Sequence, residues 1–260
     1  MKKTCGLTRV SSMTVNRFRD GEFAEVNKVG NPLEDASVNV RREDEWQEIW
    51  PSVDIPDGVV YHFDATSIDE SDSSSINSWE CGVTGNSITG TATYRESALN
   101  GNPSLEFDGV DDDLSNTTDF SNVEPPYTVF VVAETNNMDS RQGITGAAEN
   151  FSHHVSIRDG NWQLARSGET ITGSSDGSVQ LLTTQEQDGS VFLRENGTQT
   201  ASETDLTETF DAMSVGSFAG GDDFYFDGFI SHVEIHDEAL SLEQVEDREA
   251  ELASKFDVNL

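Results

Sequence analysis

Short apolar runs separated by turn signals are the feature that most limits the folds open to this chain. Residues 105–107 alternate apolar and polar side chains, and Asp108-Gly109 then breaks the run, because Gly accepts positive φ and Asp caps its own turn. Asp159-Gly160 and Asn196-Gly197 are further tight-turn pairs. The most hydrophobic run, residues 127–133, suits a central strand buried on both faces. Short strands at intervals of about 8–12 residues predict an all-β, antiparallel β-sandwich.

Only the last segment of the chain has clear helical periodicity. Ser241 is a predicted N-cap, and Gln244 completes a capping box with it. Four apolar side chains then fall near one face of the helix: Leu242, Val245, Leu252 and Phe256. The sequence therefore predicts a sandwich with one C-terminal helix.

The first 55 residues predict a small β module of their own. Residues 13–18 and 23–29 are strand-like and flank a hairpin signal at Asp20-Gly21. Residues 38–42 and 46–50 continue the pattern. Prolines and a gap in the periodicity place a boundary near residues 54–57. We therefore predict a β module at residues 1–55 and a larger β-domain at residues 56–260.

Charge is the strongest compositional feature, because 49 acidic and 15 basic residues give a net charge of −34. Such a chain repels itself at low ionic strength, whereas molar salt shortens the Debye length to about 3 Å. We therefore expect adaptation to a high-salt medium, with an ordinary acidic protein as the alternative.

The same composition disfavours two classes of partner. Nucleic-acid binding needs clustered Lys and Arg, which this chain lacks over most of its length. No run approaches the roughly 20 apolar residues of a membrane-spanning helix, so no membrane insertion is expected. No apolar segment of a secretory signal follows Lys2 and Lys3, so no signal peptide is expected, and the chain would be made in the cytoplasm of its host cell.

Two segments carry a resemblance to a known family. Residues 107–112, F-D-G-V-D-D, resemble the F-D-G-x-x-D motif of laminin-G-like, concanavalin A-like jelly-roll domains. Residues 227–236, followed by Ala239-Leu240-Ser241, resemble that family's closing strand. The resemblance covers residues 59–260 and implies a jelly-roll sandwich, a fold that hosts adhesion, lectin and hydrolase functions.

The acidic turn after residue 107 is the first candidate site. Many laminin-G-like domains carry one calcium ion, and carboxylate oxygens are the ligands that calcium prefers. The predicted ligands are Asp108, Asp111, Asp112 and Asp227. The alternative is that these residues form solvated acidic turns. Apart from calcium, no cofactor is expected.

Aromatic side chains at loop edges give the second candidate site, which would bind a glycan. The candidates are Trp79, Phe151, Trp162 and Tyr225. The alternative is that Trp79 and Trp162 belong to the core. His62, His232 and His236 are expected at strand positions with their polar tips outward.

Residues 203–208, E-T-D-L-T-E, match E-x-D-x-x-E, the shape of the catalytic motif in jelly-roll glycoside hydrolases. Two carboxylates about 5 Å apart could support a retaining mechanism. However, the family places apolar residues between the acids, and on an unbulged strand positions five apart point to opposite faces. We therefore predict that the protein is not an enzyme.

The first module adds a second resemblance. Residues 38–49, with V-x-V-R followed by W-x-E-I, are similar to short segments in structural proteins of tailed viruses; a generic hairpin is the alternative. With the salt-adapted composition and the adhesive fold, this predicts a virion structural protein of a virus that infects a halophile. It would be a capsid turret, a spike or a tail-fibre component.

The predicted partners follow from that placement. Residues 1–55 would bind other virion proteins, and the jelly roll would contact a host surface glycoprotein or glycan. Such projections are usually symmetric, so a trimer or pentamer is expected. The alternatives are a cellular carbohydrate-binding module and a jelly-roll glycoside hydrolase.

Overall fold

The computed structural model describes the backbone of residues 26–29, 37–42 and 45–49, and most of the chain from residue 55 onward: residues 55–146, 154–166, 169–178, 180–204, 209–210, 213–218 and 224–260. Side chains are described from residue 55, except at positions 154, 165, 166 and 169. The chain divides into two compact units, Met1–Ile55 and Pro56–Leu260.

The first unit contains a three-stranded antiparallel meander. Its strands are β1 (Val26–Val29), β2 (Ser37–Arg42) and β3 (Glu45–Ile49), in that order across the sheet. Val40 pairs with Val26 on one side and with Gln47 on the other. The predicted strand at residues 13–18 and its hairpin lie outside the described residues, and an attachment role for this unit stays a prediction.

The second unit is built from antiparallel strands and one helix. Its strands are β4 (Val59–Asp64), β5 (Ser75–Glu80), β6 (Ser87–Leu99), β7 (Asn102–Asp108), β8 (Asp113–Asn116), β9 (Tyr127–Thr135), β10 (Gln142–Gly146), β11 (His154–Arg158), β12 (Asn161–Arg166), β13 (Glu169–Thr172), β14 (Leu181–Gln187), β15 (Ser190–Glu195), β16 (Thr198–Thr204), β17 (Met213–Val215) and β18 (Asp227–His236). A short 3-10 helix spans Ala65–Ser67, and α1 spans Leu242–Phe256.

The strands form one continuous hydrogen-bonded path, in the order β13-β12-β11-β10-β17-β8-β6-β7-β18-β9-β14-β15-β16. Strand β4 pairs with β18, and β5 pairs with β6. The path folds back on itself as a near-closed antiparallel sandwich, because apolar side chains from both of its halves share one core. The predicted all-β sandwich with one C-terminal helix is confirmed.

Turn chemistry fixes the register of the hairpins. Asn196 and Gly197 both have positive φ, 44° and 77°, and join β15 to β16. Asp159 and Gly160, at 52° and 75°, join β11 to β12 in the same way. Two positive φ angles in a two-residue loop match the twist of the flanking strands. As a result, Ile157 lies directly opposite Trp162.

Strand β9 lies at the centre of one half of the sandwich. It pairs with β18 on one side and with β14 on the other, and its first seven residues are buried. Val129, Val131 and Ala133 face the main core, whereas Phe130 and Val132 face α1. The apolar run therefore covers both faces of the sheet, as a doubly buried strand requires.

Helix α1 covers the outer face of β9, β14 and β18. Its predicted capping box is confirmed: Gln244 N donates to Ser241 Oγ (3.3 Å) and Ser241 N donates to Gln244 Oε1 (2.9 Å). Leu242, expected on the packed face, is instead 60% exposed, whereas Leu240 and Val245 on either side of it are buried in the cluster beneath α1.

No helix in the part of the chain that the structure describes is long and apolar enough to cross a bilayer.

The histidines of β4 and β18 are not at the surface. His62, His232 and His236 are only 2%, 0% and 2% exposed, and their neighbours Tyr61 and Val233 face the main core. Because side chains alternate along a strand, the histidines face the opposite side, which α1 covers. The prediction of outward polar tips is wrong, since a single-strand pattern contains no information about a covering helix.

Candidate functional site

The acidic turn at residues 108–112 is compact but structurally self-contained. Asp108 Oδ1 accepts hydrogen bonds from the backbone N–H of Val110 (2.8 Å) and Asp111 (3.2 Å). Gly109 has a φ of 74°, which a side chain would strain. This Asx-type turn accounts for the F-D-G motif without a bound ligand.

The carboxylates of this turn lie close together. One oxygen each from Asp108, Asp111 and Asp112 falls within 4.8 Å of the others. Burial raises the pKa of Asp112, a hydrogen bond involving Thr91 lowers it, and the neighbouring Asp charges raise it further, so that it stands above its usual range. Calcium binding at this turn stays a prediction.

Asp227, the fourth predicted calcium ligand, lies on the neighbouring strand. It pairs directly with Asp108 across the β7–β18 ladder. Its carboxylate accepts a hydrogen bond from Asn136 Nδ2 (3.1 Å), and it is not part of the group of mutually close Asp oxygens among the described residues. The turn therefore brings together three of the four predicted ligands.

Two of the four predicted glycan-binding aromatics are in the core. Trp79 is 1% exposed and packs on Phe63, with ring centroids 5.5 Å apart. Trp162 is fully buried, and its Nε1 donates to Asp176 O (2.8 Å). Neither ring has a face to stack on a sugar, so the glycan-binding assignment is corrected for both. Phe151 lies outside the described residues.

The fourth aromatic, Tyr225, lies beside a cluster that the sequence did not single out. The Arg141 guanidinium carbon lies 4.2 Å from the ring centroid of Phe224 and 5.2 Å from that of Phe218. The two phenylalanine rings meet edge to face, 5.3 Å apart. Arg141, Phe224 and Tyr225 are half-buried, whereas Phe218 is only 2% exposed, so Phe218 supports the cluster and offers no ring face to solvent. We name these four residues, Arg141, Phe218, Phe224 and Tyr225, the platform.

Gly143 on β10 lets the platform sit against the sheet. A Cβ on Gly143 would be 2.6 Å from Phe218 Cδ1, so only glycine admits the ring there. The Gly143 N–H donates to Phe224 O (2.8 Å), which ties the Phe224 backbone to β10. Phe224 itself has a φ of 59°. A bulky residue in this region costs about 1–3 kcal/mol and is concentrated at functional sites.

A row of polar side chains continues from the platform across β11 and β12. Gly143 pairs with Ser156, and Ser156 pairs with Gln163. Val155 and Trp162 face the core, so Ser156 and Gln163 face the platform side. Ser156 Oγ and Gln163 Oε1 are buried and have no hydrogen-bond partner. Buried polar groups without partners cost about 1–3 kcal/mol each, so Ser156 and Gln163, which are 1% and 5% exposed, are unsatisfied hydrogen-bonding groups beside the platform.

The buried carboxylates of the described residues are occupied by the fold. Glu249 binds Arg194 (2.9 Å), and Glu234 binds Arg248 (2.9 and 2.5 Å). The others also contact donors: Asp64 (Lys255 and Thr66), Glu186 (Tyr127) and Glu195 (Ser174). Glu203 of the E-x-D-x-x-E match is exposed on β16, while Asp205 and Glu208 lie outside the described residues. These contacts give each buried acid a structural role.

Of the four platform residues, the sequence singled out only Tyr225. Residues 224–226 stand out only as an aromatic strand, and Arg141 lies 83 positions away from Phe224 by their numbers. The pairing of β10 with β17 and β11 brings them together. The one local hint is Gly143 within an apolar strand, which signals close approach of another chain segment.

No protein-family model matches the chain, and a search of curated proteins gives no significant match. Similar solved structures include domain 4 of AbnA, a GH43 extracellular arabinanase from Geobacillus stearothermophilus, in complex with arabinotriose. That match has 21% identity and a TM-score of 0.52 over 73% of this chain and 97% of that domain.

Two further structures are similar at lower identity. The binding domain of Paraclostridial Mosquitocidal Protein 1 has 13% identity and a TM-score of 0.54, covering 75% of this chain and 52% of that one. Trypanosoma rangeli sialidase in complex with sialic acid has 9% identity and a TM-score of 0.54, covering 91% of this chain and 45% of that one. This chain therefore spans less than half of the sialidase. These likenesses show a shared β-sandwich fold.

Proposed function

We propose that residues 56–260 form a non-catalytic carbohydrate-binding domain that holds a neutral oligosaccharide on the platform. The observation that carries the proposal is the juxtaposition of Arg141, Phe218 and Phe224 with the partnerless oxygens of Ser156 and Gln163. A sugar ring has apolar C–H faces and a rim of hydroxyl groups. Aromatic rings match the faces, while guanidinium, hydroxyl and amide groups hydrogen-bond to the rim.

The platform suits this task because its parts are held in place. The Arg141 guanidinium carbon lies over the Phe224 ring, 4.2 Å from its centroid, and a guanidinium held against a ring can still hydrogen-bond through its N–H groups. The backbone hydrogen bond from Gly143 to Phe224 holds the Phe224 backbone in place before any ligand arrives. Pre-organised side chains lose little conformational entropy on binding, which favours affinity.

Charge narrows the class of ligand. A protein with a net charge of −34 repels long polyanions such as uronate or sulfate-rich glycans wherever salt does not screen it. Neutral oligosaccharides carry no such penalty. The arabinanase domain solved with arabinotriose has the same fold and supports this choice, although its identity to this chain is too low to transfer a binding site.

The absence of catalysis is part of the proposal. Hydrolysis would need two carboxylates poised in a cleft, whereas the buried acids named above accept hydrogen bonds from basic side chains, hydroxyl groups or, for Glu195, the backbone N–H of Ser174. Hydrolase assays on the oligosaccharides that bind should therefore give no products. If the chain hydrolyses an oligosaccharide and Glu203→Gln abolishes that hydrolysis, the domain is an enzyme and the non-catalytic proposal fails.

The test of the binding site is calorimetry on the full chain in molar KCl with neutral arabino-, xylo-, gluco- and manno-oligosaccharides. Phe224→Ala should weaken binding about tenfold, because loss of aromatic stacking costs on the order of 1.4 kcal/mol. The matched control is Phe192→Ala. Phe192 is also half-buried, but it lines a separate cavity of about 260 Å³ beside the start of α1.

The two variants distinguish whether the chain binds carbohydrate from where on the chain the carbohydrate binds. Loss of binding in Phe224→Ala alone supports the platform. Loss in Phe192→Ala alone would keep a carbohydrate-binding function but move it to the cavity beside α1. No binding by the full chain to any of the four oligosaccharide classes would overturn the proposed function.

A finer proposal places this domain on a virion of a halophile virus, with Met1–Ile55 as the attachment unit. It is supported by the acidic composition and by the segment resemblance at residues 38–49, which spans β2 and β3. Light scattering in molar salt should then give a trimer or a pentamer. A monomer would favour the same binding domain in a cellular protein.

A further inference from the structure

A group of polar side chains lies buried between the sheet and α1. His62 comes from β4, and His232 and Glu234 come from β18; they are 2%, 0% and 0% exposed. In the ladder between these strands Glu234 pairs with His62, and His232 pairs with Asp64. The register therefore places the two imidazoles and the carboxylate side by side on the face that α1 covers.

The donor atoms of these three side chains converge on one point. One ligand atom from each lies within 4.8 Å of the other two. Glu234 Oε2 is 3.3 Å from His232 Nε2 and 3.9 Å from His62 Nε2. Ligands bound about 2.0–2.2 Å from a tetrahedral zinc stand roughly 3.3–3.6 Å apart. The observed separations need only small shifts to reach that geometry.

The imidazole nitrogens at this point make no hydrogen bond of normal geometry, although carboxylate oxygens lie 3.3 Å from His232 Nε2 and 3.6 Å from His232 Nδ1. His62 Nε2 and both ring nitrogens of His232 are buried and make no hydrogen bond. More than nine in ten buried polar groups are satisfied in known structures, so three orphaned nitrogens on two neighbouring histidines require an explanation. A bound ion that accepts lone pairs from the ring nitrogens would explain why they lack hydrogen bonds.

The surrounding charges hold the three side chains in position. His232 Nδ1 lies 3.6 Å from Asp64 Oδ2, and Asp64 in turn contacts the ammonium group of Lys255. Glu234 accepts two hydrogen bonds from Arg248 of α1 (2.9 and 2.5 Å). Carboxylates behind a ligating imidazole, and donors behind a ligating carboxylate, are the usual outer partners of a metal site.

We propose that His62, His232 and Glu234 form a binding site for one divalent transition-metal ion, with zinc the best match. Two imidazoles and one carboxylate are a common zinc set, whereas calcium and magnesium prefer oxygen ligands.

A proton on His232 is the competing occupant of the same space. Burial lowers the pKa of His232, but Asp64 and Glu234 raise it by more, and the net pKa is above the ordinary value. His236 also faces Glu234, and its Nε2 lies 2.8 Å from Glu234 Oε1. The two negative charges of Asp64 and Glu234 are balanced by the two positive charges of Lys255 and Arg248. A protonated His232 would bridge the two carboxylates without any metal, so the experiment has to distinguish these occupants.

The site would fasten α1 to the sheet. The ion would join β4 to β18, and Glu234 would hold both the ion and Arg248 of the helix. Because the ligands are covered by the helix, the ion would enter during folding and exchange slowly afterwards.

The test uses the full chain in molar KCl, unfolded in urea with chelator and refolded with zinc, with cobalt(II) or with no metal. Metal analysis after desalting should find one zinc per chain, with a higher melting temperature than the metal-free sample. Cobalt should give the visible absorption of a four-coordinate site. His62→Gln and His232→Gln should each bind zinc about 100-fold more weakly or worse. Asp111→Asn, in the exposed acidic turn, should bind like the unmodified chain.

Two results would overturn the proposal. The first is a refolded, unmodified chain that retains neither zinc nor cobalt, which would assign the space to the proton on His232. The second is zinc that persists in folded His62→Gln and is lost in Asp111→Asn, which would assign it to the acidic turn. Circular dichroism establishes folding, and His62→Gln decides the matter where His232→Gln does not fold.

Discussion

The two outer faces of the sandwich solve the problem of buried polar groups in opposite ways. On the face covered by α1, the covered face, Arg194 binds Glu249 through two hydrogen bonds of 2.9 Å, and Thr183 adds a third to the same carboxylate (2.8 Å). On the other outer face, the platform face, Ser156 Oγ and Gln163 Oε1 have no partner. The first arrangement stabilises the fold, and the second leaves hydrogen-bonding capacity for a ligand.

Burial alone does not separate the two faces. Glu249 and Ser156 are each 1% exposed, yet one is fully paired and the other is not. The difference comes from α1, because a helix laid on the sheet contributes charged side chains at the spacing that the strands require. The histidines beneath α1 are the exception on the covered face, which is why they carry the metal proposal.

The largest expected effect comes from opening the covered face. Phe256 is fully buried between α1 and the sheet, with its ring 5.7 Å from that of His232. Phe256→Ala should lower the free energy of unfolding by about 3–5 kcal/mol, through lost burial and the cavity left behind. Urea unfolding in molar salt measures it.

Leu242→Ala on the same helix is the matched control. Leu242 is 60% exposed, so its truncation should change the free energy of unfolding by no more than about 0.5 kcal/mol. Neither variant should alter oligosaccharide affinity, because the two faces are independent in the proposed division of roles. A loss of affinity in Phe256→Ala, measured where the variant is still folded, would contradict that division.

A smaller effect is expected from the backbone of the platform. Phe224→Ala and Phe224→Gly both remove the ring, but only glycine relieves a φ of 59°. Phe224→Gly should therefore be more stable than Phe224→Ala by about 1 kcal/mol. Both variants should bind oligosaccharide equally poorly. Equal stability of the two would show that the Phe224 backbone stores no strain, and the platform would then rest on its side-chain contacts alone.

The sequence predicted the covered face better than the platform face, for physical reasons. The capping box at Ser241 and the hairpins at Asp159-Gly160 and Asn196-Gly197 are local, so a few residues determine them. Which strand faces α1 depends on pairings between distant segments, and so the burial of His232 was missed. Arg141 and Phe224 meet only through tertiary structure, and no periodicity links them.

The aromatic candidates failed for a related reason. Trp79 and Trp162 are at loop edges in the sequence, but their side chains point inward because their strands alternate that way. A tryptophan has a large apolar surface that is useful both in a core and in a binding site. Its position at a loop edge in the sequence therefore does not decide between the two. The three aspartates of the 108–112 turn were placed together correctly because the turn itself gathers them.

The smallest expected effect on stability gives the sharpest test of the comparison between the faces. Ser156→Ala removes a buried hydroxyl that has no partner, so the free energy of unfolding should stay the same or rise by up to about 1 kcal/mol. The same change should weaken oligosaccharide binding about fivefold, because it removes a group that only the ligand satisfies.

Thr183→Val, on the covered face, is the control. It breaks a hydrogen bond to Glu249 (2.8 Å), so it should lower the free energy of unfolding by about 1 kcal/mol or more while leaving oligosaccharide affinity unchanged. A Ser156→Ala protein that is destabilised and binds normally would mean that the hydroxyl serves the fold, and that the two faces differ in coverage but not in role.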